Sequence, residues 1–269
     1  MPRIVSICPS NTEILHALGL LDQVVGIDDY SDWPQEVEKL PRLGPDLSID
    51  MGKLESLKPD WVLASLSVPG MEKNIEALQK RGIPYLVLYP DNIEGIPADM
   101  LRVGAYAGVE EKAAEAARRF EERLQRIQER IPHSNPTRLY WEWWPKPVFT
   151  PGRDNWLTDV SRIVGAVNVF GDEPGQSVQT NWEEVVRRQP EVILVVWTGV
   201  PIHRVKKKTI LSREVWKGQP FAKENRIHIL EEGWFCRPSQ RILTGIEHLA
   251  HLLYPDRFDP PDPNNPLSL

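Results

Sequence analysis

His248 and His251 are three residues apart near the end of the chain and would share one face of a helix. That spacing could offer two imidazoles to a metal ion. No third ligand follows nearby, so a surface or core role is the plainer expectation. Cys8 and Cys236 are the only two cysteines, too few for a disulfide scaffold or a zinc ligand set, and both are expected to be free thiols. The run His203-Arg204-Val205-Lys206-Lys207-Lys208 is basic but short, which reads as a solvated loop rather than a nucleic-acid contact. Nucleophile elbows, phosphate-binding loops, dinucleotide-binding glycine triplets and zinc-protease helices are absent from the sequence. The composition stands out instead for its aromatics: ten tryptophans in 269 residues, most of them in the second half.

Two aromatic segments have the context of a binding wall. Trp141-Glu142-Trp143-Trp144-Pro145-Lys146-Pro147-Val148-Phe149 starts as a strand and runs into a proline-broken loop. Alternation places Trp141 and Trp143 on one face, with Trp144 and Phe149 at the strand's end. Gly233-Trp234-Phe235-Cys236-Arg237-Pro238 also follows a strand and precedes a helix. In an open parallel sheet, ligands sit at the carboxyl ends of the strands. The expectation is a broad apolar wall for a large flat ligand, with Arg237 and Arg241 as polar contacts; the competing reading is a core of buried aromatics. In the first half, Cys8-Pro9-Ser10-Asn11 ends the first strand, where the uncapped N–H groups of the next helix would be exposed. Tyr30 follows the second strand at the same edge.

The elements that would hold these residues are legible. Strands are expected at residues 3–7, 24–27, 61–64 and 85–88, with a helix over 72–81 between the last two. Ser10-Asn11-Thr12-Glu13 reads as a capping box opening a helix. Strand, helix, strand in this rhythm implies parallel pairing. Residues 110–131 lack Gly and Pro and are rich in Ala, Glu and Arg, which predicts one helix of about 22 residues, roughly 33 Å long. Its apolar stripe is Ala113, Ala117, Phe120, Leu124, Ile127 and Ile131. Strands resume at 138–141, 192–196 and 226–230, and a last helix covers about 239–253. The segment from Asp50 to Leu63 resembles the segment from Asn181 to Leu194 without a gap. Each has a capping residue, a short helix, a polar-Pro-acid turn and a buried strand.

The expected fold class is therefore α/β, with two lobes of mainly parallel sheet joined by a single long α-helix. The lobes are residues 1–109 and 132–255, the linking helix is 110–131, and a Pro-rich tail over 256–269 is expected to be loose. A formal net charge of −6 gives no global basic field, so nucleic acid is not an expected partner. Met1 leads almost at once into a strand, with no basic and apolar leader. Either the chain stays in the cytoplasm or an export signal lies outside this sequence.

Ile4-Val5-Ser6-Ile7-Cys8-Pro9-Ser10-Asn11-Thr12-Glu13, Asp29-Tyr30-Ser31-Asp32-Trp33-Pro34 and Leu57-Lys58-Pro59-Asp60 resemble the helical-backbone class of periplasmic binding proteins. That class serves ABC importers of corrinoids, ferric siderophores and haem, and the resemblance covers about residues 3–254. Trp143 and Phe149, in the context Pro147, Phe149, Thr150 and Gly152, are similar to the paired pocket aromatics of its cobalamin-binding members. Trp234-Phe235-Cys236-Arg237 is similar to their second pocket segment, and Tyr30 to their first-lobe tyrosine. A further pocket position, after the third strand, falls at Leu66.

The resemblance implies a solute-binding protein, not an enzyme, that holds a corrinoid in the cleft between the lobes and delivers it to an ABC importer permease. The ligand-binding residues it implies together with the reading above are Cys8, Pro9, Ser10, Asn11, Tyr30, Leu66, Trp143, Trp144, Phe149, Trp234, Phe235, Arg237 and Arg241. Glu72 and Glu183 are the implied permease-docking carboxylates. No resident cofactor or metal is implied, since cobalamin is cargo, and a monomer is expected. The implied location is extracytoplasmic. The alternatives are a ferric siderophore or haem carrier, a cytoplasmic corrinoid-binding protein with no transport role, and an α/β enzyme.

Overall fold

The computed structural model describes residues 1–267. The chain divides into two compact units, the first formed mainly by Met1–Pro90 and Glu94–Glu122, the second by Arg123–Pro266 with Asp91–Ile93. In the first, β1 (Ile4–Ser6), α1 (Pro9–Ala17), β2 (Val24–Ile27), α2 (Met51–Ser56), β3 (Trp61–Ser65), α3 (Glu72–Arg81), β4 (Tyr85–Leu88) and α4 (Gly95–Ala107) follow in order. The strands form one sheet in the order β2-β1-β3-β4, and every pairing is parallel. β1 and β3 are buried along their whole length, as strands covered by helices on both faces must be. Next comes α5 (Glu110–Arg130), which runs unbroken from the first unit into the second.

The second unit contains β5 (Thr137–Glu142), β6 (Trp144–Pro145), β7 (Val148–Pro151), α6 (Trp156–Ile163), β8 (Ala166–Asn168), β9 (Ser177–Thr180) and α7 (Trp182–Arg187). β10 (Val192–Val195), α8 (Lys207–Leu211), β11 (Ile227–Ile229), α9 (Glu232–Phe235) and α10 (Ile242–Leu253) complete it. Its main sheet is β11-β10-β5-β8, again parallel throughout. A second, antiparallel sheet, β6-β7-β9, is built on the hairpin after β5. No helix among the described residues is long and apolar enough to cross a membrane.

The internal similarity seen in the sequence extends to hydrogen bonding. Asp50 caps α2 by accepting from Lys53 N, and Asn181 caps α7 by accepting from Glu184 N. Eight residues past each cap, Lys58 (φ 47) and Gln189 (φ 46) take left-handed backbone, a conformation that non-glycine residues seldom adopt. An arginine from the start of the neighbouring strand binds each turn. Arg3 donates to Leu57 O at 2.6 Å and Lys58 O at 3.2 Å; Arg138 donates to Arg188 O at 2.6 Å and Gln189 O at 3.1 Å. The acid two residues on closes each turn: Arg3 N donates to Asp60 at 2.6 Å and Arg138 N to Glu191 at 2.9 Å.

Three local expectations change. The Ser10-to-Glu13 capping box does not form: α1 begins at Pro9 with Cys8 as its N-cap, because proline suits the first helical position and lacks the N–H a cap would satisfy. Thr12 instead hydrogen bonds to Ser6 and Ser31, both at 2.8 Å. The apolar stripe of α5 also includes a charge, Arg123, which is buried and holds Glu247 through two bonds of 3.0 and 2.6 Å. Finally, the tail expected to be loose is tied down. Phe258 is buried beneath the Arg130 guanidinium, and Asn265 O accepts from Arg123 at 2.8 Å. The tail's last two residues lie outside the described residues.

Candidate functional site

In the first unit the candidates gather at the carboxyl ends of β1, β2 and β3. Cys8, Pro9, Ser10 and Asn11 form the first turn of α1 and are buried; the Asn11 side-chain amide nitrogen is buried with no hydrogen-bond partner. Asp28, directly after β2, accepts from Tyr30 N at 2.8 Å, Ser31 N at 3.0 Å and the Ser31 hydroxyl at 2.5 Å. Burial pushes the Asp28 carboxyl up to about 6 against those bonds. Arg42 adds bonds to Asp28 O and Ser31 O. This network fixes the turn and leaves Tyr30 half exposed. Leu66 follows β3 and is partly buried.

In the second unit, Trp143 N donates to Phe149 O at 2.9 Å and Trp143 O accepts from Thr198 N at 3.2 Å. These bonds fix Trp143 between the hairpin and the loop after β10. Its ring lies 5.9 Å from Trp156, whose indole donates to Phe235 O at 2.8 Å. Trp144 faces Phe149 across the β6–β7 ladder and is 40 % exposed. Trp234, on α9, is partly buried with its ring edge-on to His248 at 5.5 Å. The hairpin and α9 thus place Trp143, Trp144, Phe149 and Trp234 at the carboxyl edge of the main sheet, as alternation and strand direction require.

Three expected contacts sit differently. Phe235 is fully buried and packs on Trp141 at 5.5 Å, so it supports the wall from behind; α9 turns consecutive residues by about 100°, which sends Trp234 and Phe235 apart. Arg237 is buried and engages Glu232 at 3.0 and 3.1 Å. The Arg241 guanidinium lies against Gly233, where a Cβ would come within 3.0 Å of it. His251 is used locally, bonded to Phe258 O at 2.6 Å, and no cluster of potential metal ligands occurs among the described residues.

Sequence reading missed Trp156 and a buried polar cluster behind the wall. Glu142 is fully buried, and Arg213 meets both its oxygens at 2.6 Å. Trp197 and Tyr140 also donate to Glu142, at 3.0 and 3.2 Å. The Arg213 guanidinium lies over two rings, 4.2 Å from Trp182 and 4.4 Å from Trp216, in the corner these edge-on rings make. An acid within an otherwise aromatic strand was the one available signal.

Both thiols are free. Burial pushes Cys8 up to about 11 and Cys236 well above its ordinary value. Only about a thousandth of Cys8 would be thiolate at pH 8, and the thiolate is the reactive form. The native protein should therefore react very slowly with a disulfide reagent at pH 8, and the unfolded protein should release two equivalents at once. Rapid stoichiometric labelling of the native state would contradict this.

The chain belongs to the periplasmic binding protein family, whose model matches residues 4–232, and within it to the helical-backbone class (class III). It is 31 % identical over 262 residues to YvrC, an uncharacterized ABC transporter substrate-binding lipoprotein of Bacillus subtilis (strain 168), covering 95 % of this chain and 81 % of that one. It is 29 % identical over 248 residues to the vitamin B12-binding protein of Yersinia pestis (strain Pestoides F), covering 92 % and 85 %. The crystal structure of the periplasmic vitamin B12 binding protein BtuF of Vibrio cholerae superposes with a TM-score of 0.78 at 26 % identity, covering 94 % of this chain and 96 % of that one.

Proposed function

We propose that the protein captures a corrinoid and hands it to the permease of an ABC importer outside the cytoplasm. The observation that carries this reading is the wall of Trp143, Trp144, Phe149 and Trp234 at the carboxyl edge of the second unit's parallel sheet. A broad apolar surface with few charged groups suits a large ring bearing neutral amides. Tyr30 is half exposed at the equivalent edge of the first unit. Two relatives named for vitamin B12 support the choice of ring. In this role the protein makes and breaks no bonds; Glu72 and Glu183 meet the permease.

The exposed phenol of Tyr30 favours haem as the second reading, since it could serve as an axial ligand to iron. One titration separates them. Cyanocobalamin absorbs across the tryptophan emission band, so binding beside Trp143 and Trp234 should quench fluorescence saturably at micromolar concentration. Saturable quenching by haem or a ferric siderophore, with none by cyanocobalamin, would overturn the corrinoid assignment.

A further inference from the structure

Ser6, Thr12, Ser31 and Asp28, all buried, join three elements of the first unit into one polar chain. Ser6 ends β1, Thr12 lies one turn into α1, and Asp28 and Ser31 belong to the turn after β2. Helical side chains lean toward the helix N-terminus, so Thr12 reaches back over the corner between β1 and α1. Its hydroxyl hydrogen bonds to Ser6 Oγ and Ser31 Oγ, both at 2.8 Å. Ser31 Oγ in turn donates to Asp28 Oδ2 at 2.5 Å. A buried hydroxyl costs stability unless it is paired, and each of these groups is paired.

Tyr30 sits inside the turn that this chain holds. Asp28 sets the shape of the turn by accepting from Tyr30 N and Ser31 N. Arg42, bridged to Ile27 at the end of β2, grips Asp28 O and Ser31 O. Those bonds hold the turn's backbone to itself and to β2. Against α1 it is held by side chains: Ser31 on Thr12, and Trp33, two residues on, edge-on to His16 at 4.7 Å. β1 and the first turn of α1 are buried, so they are the fixed side of this link. The half-exposed Tyr30 is on the side that needs placing. A fully paired buried network specifies one arrangement, because any other leaves a polar group alone.

We propose that Thr12 is a positioning residue for the ligand: it touches no ligand itself, and through Ser31 it holds Tyr30 where Tyr30 meets the bound ring. The proposal rests on the reading that the protein captures a large ring, with Tyr30 as one of its contacts. Its consequence is that a hydroxyl closed off from the ligand sets part of the affinity, and sets it through Tyr30.

The test is a set of double-mutant cycles read by titration with cyanocobalamin, with circular dichroism as the check on folding. Thr12→Val keeps the side chain's shape and removes its hydroxyl. Ser31→Ala removes the other end of the link and leaves both backbone bonds to Asp28 in place. Each should weaken binding about fivefold to tenfold, the scale of one lost hydrogen bond. The two together should cost no more than either alone, and Thr12→Ser should restore the affinity. In a Tyr30→Ala background, itself weaker, Thr12→Val should change the affinity by less than about twofold. A merely structural role would cost the same factor in both backgrounds, and that result overturns the proposal, as does wild-type affinity in Thr12→Val. Should Thr12→Val not fold, Ser31→Ala runs the same cycle against Tyr30→Ala. Cyanocobalamin binding that Tyr30→Ala leaves unchanged overturns the positioning role and leaves the corrinoid reading standing. If haem alone binds and the coupling holds for haem, the positioning role stands and the corrinoid reading falls. Binding of neither ring overturns both.

Discussion

Replacing Arg213 with Met should lower the free energy of unfolding by about 3–5 kcal/mol, the usual cost of leaving a buried charge without its partner. Glu142 is the residue left stranded. It is fully buried at the end of β5, and both its oxygens depend on the guanidinium at 2.6 Å. Trp197 and Tyr140 would still donate to it, but two neutral donors do not replace a bidentate cation. The substitution also removes the cation from over the rings of Trp182 and Trp216, which adds to the loss. Glu142→Leu in the Arg213→Met background should regain much of the stability, because an apolar pair of similar volume carries no desolvation penalty. Urea unfolding of the three proteins measures this; a loss below 1 kcal/mol for the single variant would contradict the assignment.

The largest functional effect should come from Glu72→Ala/Glu183→Ala. We expect uptake to fall at least tenfold while ligand affinity stays within about twofold, since losing an interfacial charge pair costs about 2–5 kcal/mol. Both glutamates are exposed and stand in the first turn of their helices, α3 and α7, where the free N–H groups favour a carboxylate. Each helix begins at the carboxyl edge of its sheet. Glu184, the neighbour of Glu183, is already engaged with Arg187 and Arg188, which hold its carboxyl down at about 2. Glu72 accepts from Gly70 N at 2.7 Å, which fixes its direction. Transport in cells and equilibrium titration of the purified protein must be measured separately. Normal uptake by the double variant would leave both residues as ordinary helix-start carboxylates.

The parallel strands were legible because each is a short apolar run bounded by turn residues, and β1, β3 and β10 are indeed buried throughout. The helix over residues 110–131 was legible from composition, and it forms as Glu110–Arg130. The β6-β7-β9 sheet was not. β6 is two residues long and ends in Pro145, and β9, Ser177–Thr180, is polar, so neither shows a hydrophobic period. α4 was hidden by Gly95 and Pro97 in its first turn and Gly104 inside it, all of which weigh against a helix in propensity. The bond between Glu142 and Arg213 spans 71 residues, a separation no local pattern encodes. Ser10 looked like a cap because its spacing to Glu13 was right; Pro9 moved the helix start ahead of it.

Arg3 and Arg138 brace the amino edges of the two main sheets, each gripping a turn held in left-handed backbone. The aromatic residues Trp143, Trp144, Phe149 and Trp234, and Tyr30, stand at the opposite, carboxyl edges. On the proposed function, structural upkeep and molecular taste are written into separate ends of the same strands. In that role, a lineage that exchanged Trp144 or Phe149 for other side chains would be expected to change its cargo, while the braces went on aligning the first strand of each sheet. Altering Arg3 or Arg138 would do the reverse, loosening the frame and leaving the cargo the same.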